Sequence, residues 1–198
     1  MSGYVHSCAV TGSPQRLFVV SVAAFILCFS SCVVAEPGSF QVEEAHSWTR
    51  DGAYFLDAQF VVKLSSGAFE ALENGVPLVF DLQVQVVKTH PWFWDVVDIE
   101  INQIRQIQYH ALSRSYLVKD LGAGTQGNYH RLKDALQAAG IIDALFLTDQ
   151  KLEQGRGYKI RVRGSLDIES LPTPVRLLAY VSSSWDMDSE WYTWPLAR

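Results

Sequence analysis

The chain has 198 residues, of which 48% are hydrophobic, 12% aromatic and 19% charged, with a formal charge of −5. Abundant apolar side chains and a charged fraction below the ~25% usual for soluble domains exclude a disordered chain, and the acidic balance excludes the basic footprint of a nucleic-acid binder. The length suits one domain with its own core, since domains run ~100 to 200 residues.

The first element in chain order stands outside that core. Residues 17 to 35, LFVVSVAAFILCFSSCVVA, carry no charged side chain, follow Arg16, and end in Val33-Val34-Ala35 before Glu36-Pro37, the small-x-small pattern that signal peptidase cleaves. The segment reads as an export signal. Its 19 residues also approach the ~20 needed to span a bilayer, and Phe29-Ser30-Ser31-Cys32 is an imperfect lipobox, so cleavage, anchoring and lipidation at Cys32 all fit it. Each fate divides the chain into a leader, 1–35, and a single domain, 36–198, that is periplasmic or anchored to the membrane facing the periplasm. Cys8, Cys28 and Cys32 all lie in the leader, so the domain has no disulfide, no thiolate nucleophile and no Cys-ligated zinc. Without Arg16 the domain holds 15 basic against 21 acidic residues, a formal charge of −6.

Within the domain, Phe40 to Ala45 reads as a first strand. Tyr54, Leu56, Ala58, Phe60 and Val62 then alternate with Phe55, Asp57, Gln59, Val61 and Lys63, the period of a second. Ser65 and Ser66 offer N-cap oxygens to a short helix through Phe69, Leu72 and Glu73, stopped by Asn74-Gly75 and Pro77. From Leu78, the even positions Phe80, Leu82, Val84 and Val86 are apolar and Asp81, Gln83 and Gln85 polar, as for a strand with one face in a core. Beyond residue 95 the odd positions Val97, Ile99 and Ile101 take over. An antiparallel pair with both apolar faces on one side needs opposing numbers with an odd sum. Such a register sets Val86 against Val97, Val84 against Ile99, Leu82 against Ile101 and Lys88 against Asp95, leaving Thr89 to Trp94 as the tip. Gln103 and Arg105 fall on the face that should be apolar and predict a bulge or sheet crossing.

Ser113-Arg114 turns the chain into Tyr116 to Val118. After a glycine-rich loop, Leu121 to Gly127, residues Tyr129 to Ala139 read as a helix with Leu132, Leu136 and Ala139 on one face and Gly140 as its stop. Further strands follow at Ile141 to Leu147, Tyr158 to Ile168 and Glu190 to Trp194, and Pro172-Thr-Pro174 starts a helix over Val175 to Tyr180. The fold class is mainly β, an antiparallel β-sheet or sandwich with two or three short helices, preceded by the N-terminal hydrophobic export segment.

No motif carries a reaction. Gly122-Ala-Gly124-Thr-Gln-Gly127 matches G-x-G-x-x-G, but its strands read as hairpins where a dinucleotide fold needs parallel strands, so it is read as a loop entering a helix. His46, His90, His110 and His130 lack metal-ligand spacing, and His130 with Asp134 makes a surface pair, so no metal or cofactor is expected. Asp186, Asp188 and Glu190 lack the glycine and the bidentate acid of a calcium loop and read as a polar turn. The serines have no G-x-S-x-G setting. Trp185, Trp191, Tyr192 and Trp194 read as core and sheet packing.

The run Leu166-Asp-Ile-Glu-Ser-Leu-Pro-Thr-Pro-Val-Arg-Leu-Leu-Ala-Tyr180, Ser184-Trp185 and the ending Ser189-Glu-Trp-Tyr-Thr-Trp-Pro-Leu196 resemble the domain of unknown function 4390, a family of exported Gram-negative proteins. The resemblance takes in the aromatic hairpin tip and spans most of residues 40 to 196. It implies no catalytic residues. Its members are often encoded beside a membrane histidine kinase of the nitrogen-regulation type, which implies a signalling role in the envelope.

Thr89-His-Pro-Trp-Phe-Trp94 is the feature that packing explains least. Its rings fold back over a sheet edge, meet another protein, or anchor in a membrane interface. The expected binding residues are accordingly His90, Trp92, Phe93 and Trp94, with an envelope protein such as a membrane sensor kinase or the membrane surface as partner, and no nucleic acid. The domain reads as a non-enzymatic envelope accessory or interaction module. The alternative is a hydrolase of an envelope polymer using two carboxylates distant in sequence.

Overall fold

The computed structural model describes residues 37–90, 92, 94–150 and 157–196. The leader with its three cysteines, Pro91, Phe93, residues 151–156 and the last two residues lie outside the described residues. Among the described residues nine strands form two antiparallel sheets, and three short helices lie at their margins.

The smaller sheet orders β1 (Ser39–Arg50), β2 (Ala53–Lys63) and β7 (Ile141–Thr148) as β1-β2-β7. The larger holds β3 (Leu78–Thr89), β4 (Val96–His110), β5 (Ser115–Asp120), β6 (Gln126–Tyr129), β8 (Gly157–Leu166) and β9 (Tyr192–Pro195), ordered β6-β5-β4-β3-β8-β9. Alternation explains how they pack. Leu56, Ala58, Phe60 and Val62 of β2 and Leu78, Phe80, Leu82, Val84 and Val86 of β3 are all buried and form the core between the sheets, where Phe40 meets Phe80 edge to face at 5.2 Å. Paired on both sides, β3 is the spine of the larger sheet.

Helix α1 (Ser66–Glu73) starts where expected, with the Ser65 hydroxyl accepting from the Ala68 amide at 3.3 Å. Helix α2 (Leu132–Ala139) packs on β5, β4 and β2 at one margin. It is shorter than expected because Tyr129 ends β6, and the last two residues of the supposed glycine loop, Gln126 and Gly127, belong to that strand. At its end the Gly140 carbonyl accepts from the Phe60 amide at 2.9 Å, an approach that leaves no room for a side chain. Helix α3 (Thr173–Val181) follows a 3₁₀ turn at Ile168–Ser170.

Two expectations for the central hairpin are corrected. The β3–β4 register sets Val84 against Ile101 and Val86 against Ile99, two residues from the expected pairing; opposing numbers still have an odd sum, so the buried faces agree. An irregularity between Val86 and Val87 then sets Val87 against Val97 and Lys88 against Val96. Val97 thereby leaves the core face and is exposed, while Asp95 lies 3.8 Å from Lys159. The bulge expected around Gln103 and Arg105 does not occur, since pairing runs unbroken from Val86–Ile99 to Leu78–Ile107. Arg105 is instead held on the inner face by Asp120 of β5, its register partner, at 2.6 Å.

Candidate functional site

Where the two sheets end together is fixed by one hydrogen bond. Trp194 of β9 donates from Nε1 to Ser47 Oγ of β1 at 3.3 Å. Trp194 pairs with Ile160, which pairs with Val86, three residues short of the β3 end, while Ser47 lies four residues short of the Asp51-Gly52 turn. The β1–β2 turn and the β3–β4 tip therefore lie at one end of the sandwich. We call this the distal end, because Gly38, the second described residue, lies against Ser65 and Met187 beside the opposite end of β3.

At the distal end Trp92 is 89% and Trp94 85% exposed, so neither ring folds back over the sheet. Val96 and Val97 add exposed apolar surface at the start of β4. The backbone beneath is paired on both sides as far as Lys88, and Thr89 still pairs with Gly157. His90 is half-buried at the base of the tip. Phe93 lies outside the described residues.

A second aromatic group on the outer face of the smaller sheet escaped the sequence reading. Trp48 stacks on Phe55 at 4.6 Å, and Phe55 meets half-exposed Phe146 edge to face at 5.9 Å. The three come from β1, β2 and β7, where Trp48 opposes Phe55 and Phe55 opposes Phe146. Asp57 holds this group in place. Its Oδ1 accepts from the Ala144 amide at 2.6 Å, capping a β7 bulge in which Ala144 has φ 47°, and its Oδ2 accepts from Trp48 Nε1 at 2.6 Å with His46 Nε2 3.2 Å away. A hollow of about 180 Å³ beside it is lined by Glu44, His46, Asp57 and Asp143. Both oxygens of Asp57 are thus spent on a bulge and a ring, which suits a structural carboxylate.

The outer face of the larger sheet is polar. Gln85 accepts from Arg161 Nε at 2.7 Å and donates to Glu100 Oε1 at 3.0 Å, while Arg161 and Arg163 lie over the Trp191 ring at 4.6 and 5.5 Å. Of the C-terminal aromatics expected in core and sheet packing, Trp185 is buried and Trp194 packs against the core from β9, while Trp191 is half-buried and Tyr192 is exposed. Asp134 pairs with Arg131 at 3.1 Å, not with His130. In the glycine motif the Gly122 and Ala123 amides donate to Asp120 Oδ1 at 2.9 and 2.8 Å, so the loop satisfies its amides internally. Among the described residues no helix is long and apolar enough to cross a membrane, and no group of three or more His, Cys, Asp or Glu is placed to hold a metal ion.

A family model described as Domain of unknown function (DUF4390) matches residues 38–195. The chain belongs to the DUF4390 family. Neither a curated protein nor a solved structure matches it. The family match covers both sheets and every strand from β1 to β9, so the distal end is part of the DUF4390 domain itself.

Proposed function

We propose that this DUF4390 domain is a non-enzymatic interaction module of the cell envelope, and that its distal end grips a partner protein. The exposure of Trp92 and Trp94 at the end of a strand paired on both sides carries the reading. Large apolar rings in water favour transfer into a contact, and a stiff support lowers the entropy lost on docking. Lys159 with Asp95 and Arg50 with Asp51 set charged pairs at the same end of the sandwich, suited to the polar rim of an interface.

A protein partner is favoured over the bilayer for this end. Lys159, Asp95, Arg50 and Asp51 share this end with the two rings, and charged side chains are costly to bury among acyl chains but can be paired across a protein interface. The candidate partner is the membrane sensor histidine kinase implied by the family resemblance.

The test is in-cell photocrosslinking from position 92, with position 128 on β6 as the control. A crosslink to the sensor kinase from position 92 alone is the expected result. Equal labelling from both positions, or only lipid adducts at position 92, refutes the reading.

A further inference from the structure

Helix α3 is built the wrong way round for a helix in water. Only Ala179 is buried, while Leu177 is 62%, Leu178 63% and Val181 83% exposed. At 100° per residue Leu177, Leu178 and Val181 fall within one 100° arc, and Ala179 points away from it. The small residue faces the domain and the large aliphatic ones face out. The helix's polar groups are turned aside as well. Arg176 donates from Nη1 to the Glu169 carbonyl at 2.9 Å, and the Tyr180 hydroxyl donates to the Glu169 carboxylate. The outward arc is left with no polar side chain.

This helix lies at the end where the described chain begins. A side chain on Gly38 would meet Met187 Sδ at 2.4 Å, and Met187 shares a hollow of about 530 Å³ with Ala179, Tyr180 and Val181. Three residues before Gly38 ends the uncharged run Leu17 to Ala35. Three residues of chain reach at most about 11 Å. An apolar segment close to bilayer-spanning length thus ends three residues ahead of Gly38, and among the described helices α3 is the one that turns its large aliphatic side chains outward.

We infer that the leader is retained as an anchor and that α3 lies on the bilayer surface, its Leu177, Leu178 and Val181 side chains sunk among the lipids. The inference shares the export reading of residues 17–35 with the proposed function and is independent of the distal contact. Tethering explains why so short a helix suffices. A covalent anchor turns docking into an intramolecular event at an effective concentration of about millimolar, so modest apolar area holds the helix down. The neighbouring Glu169, Asp186 and Asp188 are acidic, so the attraction is apolar and needs no anionic headgroup.

The experiment uses the full chain with Cys8, Cys28 and Cys32 replaced by Ser, reconstituted into phosphatidylcholine vesicles. A fluorophore is placed on Cys at position 178 or, as the distal control, at position 92. Brominated acyl chains are expected to quench the label at 178 at least twofold more than that at 92, with little change when phosphatidylglycerol or salt is added. The exposed pair Leu177→Asp with Leu178→Asp should keep its melting temperature and bring quenching of a label at 181 down to the distal level. Three results would overturn the inference: equal quenching at 178 and 92, shielding at 178 that rises with protein-to-lipid ratio without lipid quenching, as a second copy would give, or a mature chain in cells that lacks residues 17–35. None of them touches crosslinking from position 92, so the distal reading fails or stands separately.

Discussion

Replacing Trp92 or Trp94 with Ala separates a contact surface from a packing surface. At 89% and 85% exposure, ~11 to 15% of each ring is withdrawn from water, roughly 30 to 40 Å² of the ~250 Å² a Trp can bury. At ~25 cal/mol per Å² this is about 1 kcal/mol or less, a melting shift of ~2 to 4 °C for a domain of this size. Phe60→Ala, at a core ring only 2% exposed, should cost ~3 to 5 kcal/mol. If a tip ring is an interface anchor, its loss should weaken partner binding by ~2 kcal/mol, about 30-fold in Kd. Thermal melts and titration of the purified variants against the crosslinked partner read both quantities. A stability loss near 3 kcal/mol at each tryptophan would show that the rings support the fold, and unchanged affinity in both variants would remove the anchor.

Three further perturbations test the scaffold. Asp120→Ala leaves the largely covered Arg105 without its counter-charge and should cost ~2 to 4 kcal/mol in urea melts, whereas Arg105→Met combined with Asp120→Asn should recover much of that; equal losses would show the pair is not what holds β4 to β5. Gly140→Ala places a Cβ 2.4 Å from the Phe60 carbonyl oxygen and should destabilise by ~1 to 3 kcal/mol despite the better helix former, a sign that chemical denaturation reads directly. Burial, and then its hydrogen bond to Glu73, push the Tyr116 phenol up to about 12, above its ordinary 10. The folded state then keeps a proton that the unfolded state loses between about pH 10 and 12, so stability present below pH 10 falls by up to ~2 to 3 kcal/mol across that window, and the drop should be much smaller in Tyr116→Phe.

Which face of each strand is buried was legible in the sequence, because burial imposes the alternation that side chains display. The even positions from Leu78 to Val86 and from Leu56 to Val62 all face the core as read. Register was not, because no side-chain period encodes where a bulge falls; the β3–β4 pairs from Leu78 to Val86 lie two residues from the expected register, and the irregularity after Val86 leaves Val87 and Lys88 one residue from it and turns Val97 outward. Arg105 looked like a break in β4 because its counter-charge, Asp120, is supplied by another strand. Asp51-Gly52 was a readable signal passed over. Both residues have positive φ, the two-residue hairpin turn that carries β1 on to Arg50 and brings Trp48 opposite Phe55.

The candidate surface divides in the same way. Trp92 and Trp94 are adjacent enough in sequence to be noticed, whereas Trp48, Phe55 and Phe146 are spread over 98 residues and become a group only through pairing across β1, β2 and β7. What unites them is the carboxylate of Asp57, which spends its bonds on the Trp48 ring and on the strained Ala144 amide. A side chain that holds one aromatic ring flat and fixes a bulge in the strand bearing another serves to keep the outer face of the smaller sheet in one shape. Asp57→Ala should therefore cost ~2 to 3 kcal/mol, the range for hydrogen bonds to a charged group, with protection of the β7 amides from hydrogen exchange falling first around Ala144. If the Trp48 group extends the distal contact, the same substitution should also lower crosslinking from position 92 under conditions where the protein stays folded. Reduced stability with undiminished crosslinking would confine the partner's footprint to the β3–β4 tip.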